Sequence, residues 1–264
     1  MIQLVRLIQY RNPSSVSMGA VTDAKILLGS GGISTEERKM MYRRLVVEHF
    51  SDCSNVLFIP YASDDHENYT SRMQEFLGSD AHNLIGLHSF EDVTSAVLDA
   101  EGIYVGGGNS FLLIKKLHEE GLIEIVRERV LAGTPYLGIS AGANVACPTM
   151  MTTNDMPIAL PPSFESFGIV PFQINPHYHP GKILFMDGGE LKNHFGESRD
   201  QRISEFHRDN ETPVIGMWEG SFVQWDGSRG RLFGRATAFK AGQQPIEIPD
   251  GSLFDCTLSE IDQI

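Results

Sequence analysis

Short apolar runs alternate with helical patterns through the first half of this chain, and few folds satisfy that alternation. Lys25-Ile-Leu-Leu28, Asn55-Val-Leu-Phe-Ile-Pro60, Leu84 to Leu87, Gly102-Ile-Tyr-Val105 and Pro135-Tyr-Leu-Gly-Ile139 read as strands. Helices are predicted between them. One opens at a capping box, Ser34-Thr-Glu-Glu37, and runs to about Phe50; the next spans Glu67 to Leu77. A third is capped by Ser89 and reaches Leu98, a fourth is capped by Asn109, and a fifth spans Leu122 to Leu131. This order predicts an α/β fold with a mostly parallel, doubly wound sheet. After residue 165 the pattern changes. Ile169 to Ile174, Val214 to Trp218, Phe222 to Trp225 and Arg231 to Phe239 read as short strands, an antiparallel extension of the same sheet.

With 264 residues and 41% hydrophobic side chains, one large domain over residues 24–264 is expected. Residues 1–23 hold Arg6 and Arg11 but no acid before Asp23, and are expected to form a flexible leader. The net charge of −13 argues against nucleic acid or an anionic membrane as partner. No apolar run approaches the roughly 18 residues that a membrane span needs. Cys53, Cys147 and Cys256 are widely spaced and odd in number, which favours a reducing cytoplasm over a disulfide framework. A small substrate is the expected partner, and a homodimer stays open.

Ligands of such sheets bind beyond the carboxyl ends of the strands, where two glycine-rich turns fall. Gly138-Ile-Ser-Ala-Gly142 follows a strand and opens a small-residue helix, which is how a fold exposes a nucleophilic serine, here Ser140. A hydroxyl needs a base at neutral pH, and histidine is the usual one. Of nine histidines, His49, His66, His82, His88, His118 and His207 read as surface residues. His177 emerges from an apolar strand on the same sheet edge and pairs best with Ser140. Two acids can orient its ring: Asp155, in a polar loop, and Glu219, just past a strand. Both stay open, with strand-end geometry leaning to Glu219. The N–H of Ala141 and the backbone of Gly107 and Gly108 are expected to receive an oxyanion. Gly106-Gly-Gly108-Asn lacks the residues of a P-loop. A metal set of His177, His179, Asp187, Glu190 and His194 lies in a glycine-rich loop with nothing to fix it, so neither metal nor other cofactor is expected.

Five segments together resemble the peptidase E, or α-aspartyl dipeptidase, family of serine peptidases. They are Tyr104 to Lys115, Gly138 to Ala146, Thr152 to Ile158, Val170 to His177 and Gly196 to Ile203, and the resemblance runs from about Ala24 to Lys240. It implies a fold like the class I glutamine amidotransferase domain and hydrolysis of dipeptides with an N-terminal aspartate. Ser140 falls on the family's nucleophile and His177 on its base. Asp155 and Glu219 both match positions proposed for the third member. Arg199 falls on an arginine held to recognise the substrate's aspartate, and Asn109 is a second substrate-binding candidate. The stretch from Tyr178 to Phe195 looks individual, and a lid or altered substrate choice is expected there. The alternative readings are a cyanophycinase-like peptidase acting on aspartyl-arginine polymer, and a catalytically silent binding protein.

Overall fold

The computed structural model describes residues 24–78 and 82–262, so the predicted leader lies outside the described residues. The first half alternates as β1 (Ile26–Gly29), α1 (Glu36–His49), β2 (Asn55–Ile59), α2 (His66–Leu77), β3 (Asn83–Gly86), α3 (Val93–Leu98), β4 (Ile103–Val105), α4 (Ser110–Glu119), α5 (Leu122–Leu131), β5 (Tyr136–Ile139) and α6 (Ala141–Ala146). The second half holds β6 (Gln173–Tyr178), β7 (Leu184–Asp187), β8 (Glu190–Asn193), α7 (Arg199–Phe206), β9 (Val214–Trp218), β10 (Phe222–Trp225), β11 (Arg229–Phe233), β12 (Ala236–Phe239), β13 (Ile246–Ile248), β14 (Leu253–Asp255) and β15 (Ile261–Asp262).

Among the described residues, nine strands form one sheet in the order β15-β14-β11-β10-β1-β5-β4-β2-β3. Its β1-β5-β4-β2-β3 part is wholly parallel, and β10, β11, β14 and β15 extend it antiparallel. Side chains of a strand alternate between faces, so each apolar run feeds two cores. Ile26, Leu28, Leu57, Ile59, Ile103 and Val105 pack with α3, α4, α5 and α6. Leu27, Val56, Phe58, Tyr104, Leu137 and Ile139 pack on the other face with α1 and α2. The first core continues through Ile174, Ile215, Met217 and Ala236 into a second sheet, β13-β12-β9-β6.

That second sheet corrects the reading of a single extended sheet, because β6 and β9 pair in parallel with each other and not with the central strands. Arg231 to Phe239 is two strands broken at Gly234 (φ +94°), one in each sheet. The strand expected at Ile169 to Ile174 is displaced to Gln173–Tyr178. Tertiary partners take up the amide nitrogens of its buried polar residues: Gln173 Nε2 donates to Thr149 Oγ1 and Asn175 Nδ2 to the Thr152 carbonyl. Residues 184–193 form a hairpin whose strands are exposed throughout, where a loop was expected. Thr35, not Ser34, caps α1. Asp92 caps α3 in place of Ser89, whose hydroxyl donates to the Gly86 carbonyl.

His49 is not a surface residue. Its Nε2–H donates to the Tyr136 carbonyl at 2.9 Å, and burial of the ring pushes its pKa from 6.5 down to about 4. The neutral ring is the form that the fold accepts, so its contribution to stability is full above pH 6.5 and is lost as pH falls towards 4. The loss approaches about 3 kcal/mol from this group. Denaturant unfolding at pH 7 and pH 4.5 should show a smaller difference for His49→Gln than for the parent; equal differences would show that His49 does not titrate on unfolding.

Candidate active site

Ser140 stands between β5 and α6 at φ 53° and ψ −107°, a conformation that non-glycine residues rarely hold. The elbow is held from both sides. Ser140 N–H donates to the Gly29 carbonyl at 2.8 Å, and its own carbonyl accepts from Ala143 and Asn144 N–H at 2.9 and 3.0 Å. Both flanking glycines are sterically required. A Cβ on Gly138 would lie 2.4 Å from the Gly142 carbonyl oxygen, and one on Gly142 would lie 2.2 Å from that of Val105.

His177 sits near the end of β6, also at positive φ (54°). Its Nε2 lies 2.8 Å from Ser140 Oγ and its Nδ1 lies 2.8 Å from Glu219 Oε1. A carboxylate only accepts, so Nδ1–H donates to Glu219 and the Nε2 lone pair accepts the Ser140 hydroxyl. Strand pairing makes the second contact. Tyr178 of β6 stands opposite Trp218 of β9, which puts His177 and Glu219 side by side at one strand end. Two glycines after β1 leave room for the pair. A Cβ on Gly31 (φ +92°) would lie 3.1 Å from His177 Cε1, and one on Gly32 (φ +77°) 1.9 Å from Glu219 Oε2.

Asp155 is placed elsewhere. Its Oδ2 accepts from the backbone N–H and the hydroxyl of Ser110, both at 2.7 Å, and so fastens the 152–158 loop to the start of α4. Asn109 is likewise a structural cap: its Oδ1 accepts from Phe111 and Leu112 N–H, and its Nδ2 donates to the Met156 carbonyl. Arg199 opens α7, and its Nη1 donates to Asn154 Oδ1 at 2.5 Å. Asn154 in turn donates to the carbonyl of Pro176, the residue before His177. Arg199 Nε is buried with no partner among the described residues. Half-burial and then the like charge of Arg202 lower the guanidinium's pKa, and Asp155 opposes them.

Gly107 lies against the nucleophile, since a Cβ there would be 3.1 Å from Ser140 Cβ. Its N–H faces the hydroxyl of Tyr69, whose pKa burial pushes up to about 12. Among the described residues, no backbone carbonyl accepts from the N–H of Gly107, Gly108 or Ala141. Nor do three His, Cys, Asp or Glu side chains converge there in a way that would hold a metal ion.

The Peptidase family S51 model matches residues 25–233. The chain belongs to this family. A peptidase E from Streptomyces coelicolor is 42% identical over 201 residues, covering 75% of this chain and 80% of that protein. A probable alpha-aspartyl dipeptidase from Drosophila melanogaster is 44% identical over 194 residues, covering 72% of this chain and 78% of that protein. The crystal structure of a peptidase from an acI-B1 actinobacterium superposes with a TM-score of 0.61 at 18% identity, over 89% of this chain and 98% of that one. That likeness concerns the fold, an α/β architecture around a largely parallel sheet.

In this S51 chain, sequence reasoning overlooked Gly31, Gly32, Tyr69 and Asn154. The first two carried a visible signal. Gly29-Ser-Gly-Gly32 ends β1 on the same edge as the glycine runs at 106–108 and 138–142. Tyr69 and Asn154 carried none, because a helix tyrosine and a loop asparagine have many uses.

Proposed function

We propose that this protein is a serine dipeptidase that hydrolyses Asp-X dipeptides by acyl transfer. One observation carries the reading: a hydroxyl on a strained turn lies 2.8 Å from an imidazole that a carboxylate holds from behind at 2.8 Å. Ser140 Oγ attacks the peptide carbonyl while His177 Nε2 takes its proton. Glu219 steadies the imidazolium and keeps the ring in the tautomer that can accept. The oxyanion is received by the N–H of Ala141 and by the Gly107–Gly108 turn. His177 then gives its proton to the leaving amine, and residue X departs. Water, deprotonated by His177, releases aspartate and restores Ser140. No step calls for a cofactor.

The substrate class rests on the names of the relatives and on Arg199. An anionic side chain entering a protein of net charge −13 needs a local cation, and a guanidinium with an unpartnered Nε offers one. The same reading puts the protein in a reducing, cytoplasmic setting, supported by three free thiols at Cys53, Cys147 and Cys256. Among the described residues, no helix is long and apolar enough to cross a membrane.

Arg199→Met should raise KM for Asp-Leu by about 30- to 100-fold, the size of a lost charge-assisted hydrogen-bond pair. For Asn-Leu the rise should stay below about threefold, because no full charge is then left unpaired. Steady-state kinetics on both dipeptides decides the matter, and equal effects would remove Arg199 from aspartate recognition.

A further inference from the structure

We infer that Ser30 is a positioning residue that aims His177 at Ser140, an inference that rests on His177 being the base. The β6–β9 ladder breaks where His177 stands. Asn175 pairs with Gly216 and Tyr178 with Trp218, so Pro176 and His177 together oppose Met217 alone. Such a bulge re-aims a side chain and leaves ladder groups without partners. Pro176 has no N–H to offer. The Ser30 hydroxyl fills the gap: it accepts from His177 N–H at 2.8 Å and donates to the Met217 carbonyl at 3.1 Å. Ser30 is fully buried, so water cannot take over either role.

The surrounding chain gives this bond its meaning. Three consecutive residues at the end of β1 each hold one part of the site. The Gly29 carbonyl accepts from Ser140 N–H at 2.8 Å, Ser30 Oγ accepts from His177 N–H, and the Gly31 carbonyl accepts from Gly220 N–H, next to Glu219, at 2.7 Å. One short segment thus sets the spacing of nucleophile, base and acid. Two of the three bonds use backbone carbonyls, and only the Ser30 bond depends on a side chain. That bond fixes the left-handed backbone of His177, and from it the direction of the imidazole.

The test is Ser30→Ala, assayed beside Ser140→Ala and His177→Ala. Folded Ser30→Ala should lose about 30- to 100-fold in kcat, as a misaimed base does, with KM for Asp-Leu within about threefold. Labelling of Ser140 by a fluorophosphonate, which needs the Ser-His pair but not the aspartate pocket, should slow by the same factor. A serine that only supports the fold would lower the melting temperature and leave kcat and labelling rate unchanged, and that result would overturn the inference. Should the alanine variant not fold, Ser30→Cys fills the site with a slightly larger group that is a weaker acceptor, and about a tenfold fall in both rates is expected. Loss of activity in Ser140→Ala and His177→Ala, with full rates in the Ser30 variants, would refute the role of Ser30 alone. Retained activity in the two controls would overturn the catalytic reading and this inference with it.

Discussion

Ser140→Ala should lower kcat for Asp-Leu by about 10⁶-fold, the loss seen when other serine peptidases lose their nucleophile. The acyl-enzyme forms only on that oxygen, and the residual rate comes from whatever the oxyanion donors and binding supply unaided. Folding should be spared. Ser140 makes its anchoring bonds to Gly29, Ala143 and Asn144 through the backbone, and alanine keeps all three. Progress curves at high enzyme concentration, with thermal melts of both proteins, make the comparison. More than about a thousandth of the parent rate would exclude a serine acyl-enzyme, because binding and oxyanion donors alone leave less than that.

Glu219→Gln should cost about 10⁴ in kcat, as the corresponding change does in other triads. A glutamine can present its amide N–H to Nδ1, which moves the ring proton to Nε2. Nε2 then has no lone pair for the Ser140 hydroxyl, although the geometry is unchanged. Asp155→Asn is the matched comparison. It removes an anion from the start of α4 and should lower the melting temperature, with kcat kept within about tenfold of the parent, since Asp155 bonds Ser110 and not the imidazole. A larger loss in Asp155→Asn than in Glu219→Gln would reverse the assignment of the third member.

Much of the architecture was legible because short, continuously apolar runs have only one use in a chain of this pattern. Val56-Leu-Phe-Ile59 and Ile103-Tyr-Val105 must be covered on both faces, and only a sheet wrapped in helices covers them. The reading failed where a polar residue was satisfied at long range. Asn175 falls outside the strand expected at Ile169 to Ile174, and its place in β6 makes sense only once Thr152 is seen beside it. It failed too where two side chains competed for one local role, as Ser89 and Asp92 did at the start of α3.

The same division runs through the site. The sequence alone determined that Ser140 sits on a glycine-flanked turn after a strand, because that pattern is local and glycine is sterically necessary at 138 and 142. It also singled out His177 near a strand end, but on the wrong sheet: β6 belongs to the second sheet, and only the packing of the two sheets brings the ring to Ser140. Tertiary structure alone decided which acid meets the imidazole, since Glu219 lies 42 residues from His177 and reaches it only through the pairing of β6 with β9. It alone turned Asp155 and Asn109 into anchors of α4, and set Ser30 beneath the base. Hydrogen bonds act over about 3 Å, and the chain's order carries no such distance until its strands are laid side by side.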